Sequence, residues 1–305
     1  MQQYASMNEP FLLFGLFLLG ILAQFFSFIP KNLFRKINKF IIYIPLPAIT
    51  LSKIPHLSIT QEVIYPIASA WIIFFMSIAY AFAIGKLLKW DKKTIACIIL
   101  CCGLGNTSFV GFPILNYFYG AESIRFAIFV DQPGSFLIMS TLGVLIAAYF
   151  SSSDYTHKDI FKRLLKFPPF LVFIMALFIP KEFIEGNTLK SLEFLGMWMI
   201  PLAMLSLGLQ FKWHLKEIAW RNFFAGVLYK LIIAPLIIFV LFYLILDKRT
   251  ELHAVSVLEC AMPPMITSSI MATEYELDEK LANALPTMGI LFSIPTLLFW
   301  KWMLA

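Results

Sequence analysis

The chain has 305 residues, of which 60% are hydrophobic and 14% charged, with a formal net charge of +6 and a mean hydropathy of +0.82. Soluble domains carry about 25% charged residues and lack successive apolar runs of about 20 residues, so composition excludes an ordinary soluble protein and predicts an all-α polytopic membrane protein. The basic residues sit in short turns between apolar runs and form no aromatic-basic surface, so they read as topology signals and no nucleic-acid partner is expected.

Met1 to Glu9 has no basic residue, and no small-residue cleavage site follows, so Pro10–Ile29 reads as a first span rather than a cleaved leader. Charged and proline-rich punctuation then delimits nine more spans. In the first half these are Phe40–Leu51, Ile64–Leu88, Thr94–Tyr119 and Ser123–Tyr149. The second half holds Phe161–Ile179, Leu189–Phe211, Asn222–Leu246, Leu252–Thr273 and Leu281–Trp302. The second span is short and carries Pro45 and Pro47, which predicts a bend or tilt.

Spans four and nine are interrupted at matching places, at Cys102-Gly103-Leu104-Gly105-Asn106-Thr107 and at Cys260-Ala261-Met262-Pro263-Pro264. Such breaks leave backbone groups unpaired, and hydrocarbon cannot satisfy them, so they survive only where protein or a polar cavity receives them. Paired breaks in two halves are the sequence pointer to a transporter's midplane site.

Lys and Arg concentrate in the turns after spans one, three, five, seven and nine, from Lys31, Arg35, Lys36 and Lys39 onward to Lys280. The opposite side has fewer than half as many, which places both termini outside the cytoplasm. Five spans per half then invert the second half. The halves also align: Pro47-Ala48-Ile49-Thr50-Leu51-Ser52 with Pro201-Leu202-Ala203-Met204-Leu205-Ser206, Cys102 with Cys260, and Gly105 with Pro263. The predicted organisation is an inverted repeat of residues 1–150 and 160–305, joined by a short polar cytoplasmic linker at 151–159.

The chemistry-bearing residues gather at the breaks. A half-helix beginning after Asn106 or Pro264 aims free amides and a positive dipole end at the gap, which suits a carboxylate. Gly105, Asn106, Thr107, Pro263, Pro264, Thr267 and Ser268 are therefore the predicted substrate-binding residues, with Ser269 beside them. The alternative is that they only repair the broken backbone, as Ser and Thr often do in membrane helices. Asp131, Lys230 and Glu259 are ionisable residues inside spans, each costing about 2.5–3.5 kcal/mol at a helix centre, and are assigned to coupling or charge balance. A buried ion pair that fixes packing is the competing reading for the three. The four histidines lie in turns or near span ends and read as solvated or interfacial. The four cysteines fall inside apolar segments without metal-ligand spacing.

The fourth-span string Gly103-Leu104-Gly105-Asn106-Thr107-Ser108-Phe109-Val110-Gly111-Phe112-Pro113-Ile114-Leu115 resembles the signature of the auxin efflux carrier family, which includes plant PIN auxin carriers and bacterial malonate and malate carriers. Ala261-Met262-Pro263-Pro264 with Ala272-Thr273-Glu274-Tyr275, Asp131-Gln132-Pro133, and Lys230-Leu231 before Ala234-Pro235 resemble further family segments. Plant members have a proline where this chain has Gly105, a residue that can open a helix through strained backbone angles yet keeps its amide donor.

The resemblance implies a sodium/bile-acid symporter-like fold. Helices 4 and 9 would cross at the midplane, with a scaffold and homodimer surface from spans one, two, six and seven, and a moving domain from spans three to five and eight to ten. It implies a secondary carrier of a small mono- or dicarboxylate, malonate-, malate- or auxin-like, working by elevator-type alternating access in the plasma (inner) membrane. No ATP-binding loop is present, no cofactor is called for, and proton or sodium coupling stays open. The alternatives are a membrane sensor on a transporter fold and, further off, a polytopic membrane enzyme, for which the spans hold no metal motif or acid/base pair.

Overall fold

The computed structural model describes residues 10–26, 29–30, 32–56, 61–151, 168–211 and 218–305. These residues are helical throughout, with one isolated backbone bridge and no strand among them. In chain order the helices are α1 (Pro10–Ala23), α2 (Leu33–Tyr43), α3 (Pro45–Lys53), α4 (Ile64–Leu88), α5 (Lys92–Gly103) and α6 (Phe112–Tyr119). Then come α7 (Ala121–Phe150), α8 (Pro168–Ala176), α9 (Gly186–Gly196), α10 (Met199–Gln210), α11 (Trp220–Ile245), α12 (Glu251–Cys260), α13 (Ile266–Glu274) and α14 (Glu279–Met303).

Among the described residues, six helical stretches are long and apolar enough to cross a bilayer: Leu33–His56, Gln61–Leu88, Ala121–Phe150, Gly186–Leu209, Trp220–Ile245 and Glu279–Met303. The protein is therefore an integral, multi-pass membrane protein. The predicted sixth span is described only from Pro168 onward, and all of the linker except Ser151 lies outside the described residues.

Local chemistry explains the boundaries. Helix α4 ends where Lys89 turns left-handed at φ 55° and its N–H caps Gly85 O, and Asp91 at once opens α5 by accepting from Thr94 N at 2.7 Å. The second predicted span differs from expectation at its start. Helix begins at Leu33 rather than Phe40, so Arg35, Lys36 and Lys39 lie on a helix and not in a turn. Leu33, Phe34, Ile37, Phe40 and Ile41 form an apolar stripe beside those cations, and an amphipathic stripe sustains a helix that a hydropathy reading alone cuts short. Pro45, at the first position of α3, separates it from α2.

Helix α1 crosses α10 with backbones almost touching: a side chain on Gly20 would fall 2.8 Å from Gly208 Cα, and one on Gly208 would fall 2.9 Å from Gly20 Cα. Gln24 Nε2 closes the crossing with bonds to Gly208 O at 2.8 Å and Phe211 O at 2.9 Å. Helix α3 packs on α8 and α9, whereas α4 packs on α5 and α12, and α13 on α5 and α14. His253 departs from the interfacial reading. It is fully buried, wedged against the rings of Tyr65 and Phe242, with Nδ1 2.7 Å from Thr250 Oγ1. His157 and His214 lie outside the described residues.

Candidate functional site

Helix α5 stops at Gly103, and Leu104 is extended at φ −117°, ψ 138°. Helix α12 stops at Cys260, and Pro263 and Pro264 follow without amide donors. The two interrupted stretches then satisfy each other. Asn106 N–H donates to Pro263 O at 2.8 Å and Met265 N–H donates to Leu104 O at 3.2 Å, a reciprocal antiparallel pair centred on Gly105 and Pro264. Buried backbone groups require such partners, and here each break supplies the other's.

The helices restart immediately beyond this bridge. A wide, π-helical turn at Thr107–Gly111 leads into α6, with Asn106 O accepting from Val110 N at 3.2 Å and Gly111 N at 3.1 Å. On the other side α13 begins at Ile266. The amides that open the Thr107–Gly111 turn and α13 have no carbonyl one turn upstream, so two positive helix ends meet beside one bridge.

These ends face a cavity of about 820 Å³, within the ~300–1,000 Å³ range of small-molecule sites. Its polar lining includes Asn106, Thr107, Ser108, Asp131, Thr267 and Ser269, and its apolar walls include Phe109, Phe136, Met139, Met265, Ile270 and Met288. Asn106 is 3% exposed and its Nδ2 has no hydrogen-bond partner among the described residues. It is a donor left free at the cavity wall, as a ligand-binding amide would be.

The predicted substrate residues therefore separate. Asn106, Thr107 and Thr267 line the cavity, whereas Gly105, Pro263, Pro264 and Ser268 lie behind its wall. Ile266, Ser269, Ile270 and Thr273 line it at three- and four-residue spacing, and Ser268 falls off that helical face. Gly105 also works differently from expectation. Its φ is not positive, so strained angles are not its purpose. A Cβ there would sit 3.0 Å from Lys230 Nζ and 3.2 Å from Glu259 O, so glycine lets these groups approach closely.

The three buried ionisable groups are dispersed. Asp131, 3% exposed, accepts hydrogen bonds from the Thr107 and Ser108 hydroxyls and from Gln132 Nε2, the last at 2.6 Å. It fastens the start of the Thr107–Gly111 turn to α7. Asp131 itself sits in a second wide turn, Asp131–Phe136, where Trp71 Nε1 donates to Pro133 O at 3.1 Å.

Lys230 sits in a third wide turn, Tyr229–Ile233. Pro235 has no N–H to offer Leu231 O four residues earlier, and Trp300 Nε1 takes that place at 2.9 Å. π-helical turns recur at functional sites because they re-aim side chains, and here three of them carry Thr107, Asp131 and Lys230.

Lys230 Nζ and both Glu259 carboxylate oxygens are buried without a hydrogen-bond partner among the described residues. Lys230 pairs with neither acid within 4 Å, so the ion pair of the competing reading is absent among the described residues. Glu259 lies under Gly111, where a Cβ would come 2.6 Å from both of its oxygens. It is thus adjacent to the break and is not among the residues that line the cavity.

Sequence reasoning missed Ser108, hidden beside the Asn-Thr pair, and the contribution of α2. Arg35, Asn38 and Lys39 all line the cavity. The amphipathic spacing of α2 was the signal that could have placed them there.

A multi-pass helical protein whose interrupted helices brace one another beside a cavity has the build of a membrane transporter. The chain matches the membrane transport protein family over residues 7–301 and belongs to it, the auxin efflux carrier family whose signature the fourth span resembles. It is 29% identical over 301 residues to an uncharacterized transporter of Methanocaldococcus jannaschii, covering 95% of this chain and 96% of that one. An uncharacterized transporter of Methanothermobacter thermautotrophicus is 28% identical over 207 residues, covering 67% and 66% of the two chains.

Proposed function

We propose that the protein is a secondary active carrier of a small organic anion, binding a carboxylate where the two helix starts meet. The observation that carries this reading is the reciprocal Gly105–Pro264 bridge, which aims two helix N-termini and the unpartnered Asn106 amide at one cavity. Carboxylate charge is favoured at such ends without an arginine, because several amides share it. Asn106, Thr107 and Thr267 contact the substrate in this reading. Gly105, Pro263, Pro264 and Ser268 shape the bridge behind them.

The ten-span inverted repeat belongs to the same proposal, with α5–α6 and α12–α13 as the broken fourth and ninth spans crossing at the midplane. Packing of α1 on α10 and of α3 on α8 and α9 supports a scaffold. Packing among α4, α5, α12, α13 and α14 supports a body that slides against it as an elevator. Glu259 and Lys230 sit in that body, adjacent to the substrate site but outside it, where a proton or sodium ion would alter the charge carried across. The bias of basic residues supports an orientation with both termini outside the cytoplasm; a plasma-membrane location and a homodimer through the scaffold complete the proposal.

Counterflow of labelled small carboxylates in proteoliposomes tests the reading. Asn106→Ala is expected to depress exchange at least tenfold (~1.4 kcal/mol or more) while the protein still inserts and remains monodisperse. Unchanged exchange in that variant would remove the bridge from the substrate path. For coupling, Glu259→Gln is expected to abolish dependence on a pH or sodium gradient while leaving substrate exchange intact.

A further inference from the structure

The cavity grades from a buried floor to an exposed mouth. Asn106, Thr107 and Asp131 are buried at one end, and Arg35, Lys39 and Tyr43 on α2 are exposed at the other. Arg35 and Lys39 are four residues apart and both line the cavity, so they share one face of α2. The Arg35 guanidinium lies over the Phe34 ring at 5.7 Å and the Lys39 ammonium over the Tyr43 ring at 5.9 Å. Those rings line the same cavity and hold the cations there. Neither cation has an acidic partner within 4 Å among the described residues.

The charge balance of the lining is lopsided. Asp131 is its one carboxylate among the described residues, and that group already accepts from Thr107, Ser108 and Gln132. Two uncompensated cations therefore stand at the mouth, and two helix N-termini stand at the floor. The apolar Phe136, Met139, Ile270 and Met288 line the same cavity. A monocarboxylate seated at the floor leaves both cations unused. An anion with a second charged group at its far end engages both poles and rests its apolar body on these walls.

We propose that Arg35 and Lys39 are the specificity-determining residues of this cavity, holding the second anionic group of a substrate whose first carboxylate is bound at the Gly105–Pro264 bridge. This inference rests on the carrier reading above. It adds that the cavity discriminates by the number of charges, and it assigns that discrimination to α2 rather than to the broken helices. A purely topological role for the two cations predicts no such discrimination, since lipid headgroups would meet them equally well in every substrate state.

The test uses the full-length protein in zwitterionic-lipid proteoliposomes and three pairs of competitors matched in carbon skeleton: butanoate with succinate, hexanoate with adipate, and 4-methylbenzoate with terephthalate. The native protein is expected to favour the dianion of at least one pair, and Arg35→Gln with Lys39→Gln to erase that preference by weakening the dianion about tenfold, the sum of two partly solvated charge contacts. The monoanion should bind as before, and Arg35→Lys with Lys39→Arg should restore the preference.

Equal binding of monoanion and dianion by the native protein overturns the proposal and leaves the carrier reading standing. So does a dianion preference that survives in the glutamine variants, or an equal loss of both competitors. A preference lost only in vesicles containing anionic phospholipid assigns the cations to lipid and overturns it as well. Failure of every competitor in the native protein overturns both this proposal and the carboxylate reading beneath it.

Discussion

Gly111 and Glu259 are fitted to each other across the two interrupted spans: the carboxylate occupies the space a Cβ on Gly111 would need, 2.6 Å from either oxygen. A residue in the Asn-Thr segment of one span thus fixes how close a buried acid of the other can lie. Gly111→Ala is expected to displace Glu259 and destabilise the protein by about 1–3 kcal/mol, the usual cost of overpacking. Adding Glu259→Ala should recover most of that loss, because the clash disappears with the carboxylate. Thermal denaturation of the four proteins in detergent provides the double-mutant cycle, and strict additivity would refute the contact.

Lys230 is fully buried, and its ammonium has no hydrogen-bond partner among the described residues. An unpaired buried cation opposes folding, so its retention indicates a task other than stability. Lys230→Met keeps most of the volume and removes the charge. The expected outcome is a gain of about 1–3 kcal/mol in stability together with loss of gradient-driven transport. A melting temperature that falls in this variant would show that Lys230 has a stabilising partner after all.

Asp131 has the opposite character. With three donors directed at it, the carboxylate anchors the start of the Thr107–Gly111 turn. Asp131→Ala orphans those donors and is expected to cost about 1–3 kcal/mol for the buried groups left unsatisfied. Substrate affinity should fall with it, since Asn106 and Thr107 lose their support. Asp131→Asn still accepts at one oxygen and should lie between the two. Equal melting temperatures for all three proteins would contradict the anchoring role.

Lys53 at the end of α3 pairs with Glu122, ahead of the main run of α7, at 2.7 Å. The pair joins the two bodies that the proposed mechanism moves past each other. Exposed pairs of this kind contribute less than about 1 kcal/mol, so Lys53→Met should barely alter the melting temperature. The rate of counterflow should nevertheless change at unchanged substrate affinity, and the charge exchange Lys53→Glu with Glu122→Lys should restore it. A rate insensitive to all of these substitutions would mean that the pair spans no moving boundary.

The elements legible from residue order alone are those whose signal is local. Ile64–Leu88 was legible to the residue because charge and turn chemistry punctuate both ends. The interruptions at Gly103–Asn106 and Pro263–Pro264 were legible because glycine and proline act on their own backbone. The start of α2 was not, since a hydropathy reading treats Arg35 and Lys39 as a turn where their spacing continues a helix.

What each polar residue does follows from the packing of the helices. Asp131, Lys230 and Glu259 look alike in sequence, as charges inside apolar runs. One is saturated with hydrogen bonds and two have no hydrogen-bond partner among the described residues. Thr267 and Ser268 are neighbours of similar chemistry, yet the rotation of α13 turns one into the cavity and the other away from it. The physical reason is common to all of these cases: a side chain's partners come from other helices, and their approach is set by packing at Gly105 and Gly111 that no single segment encodes.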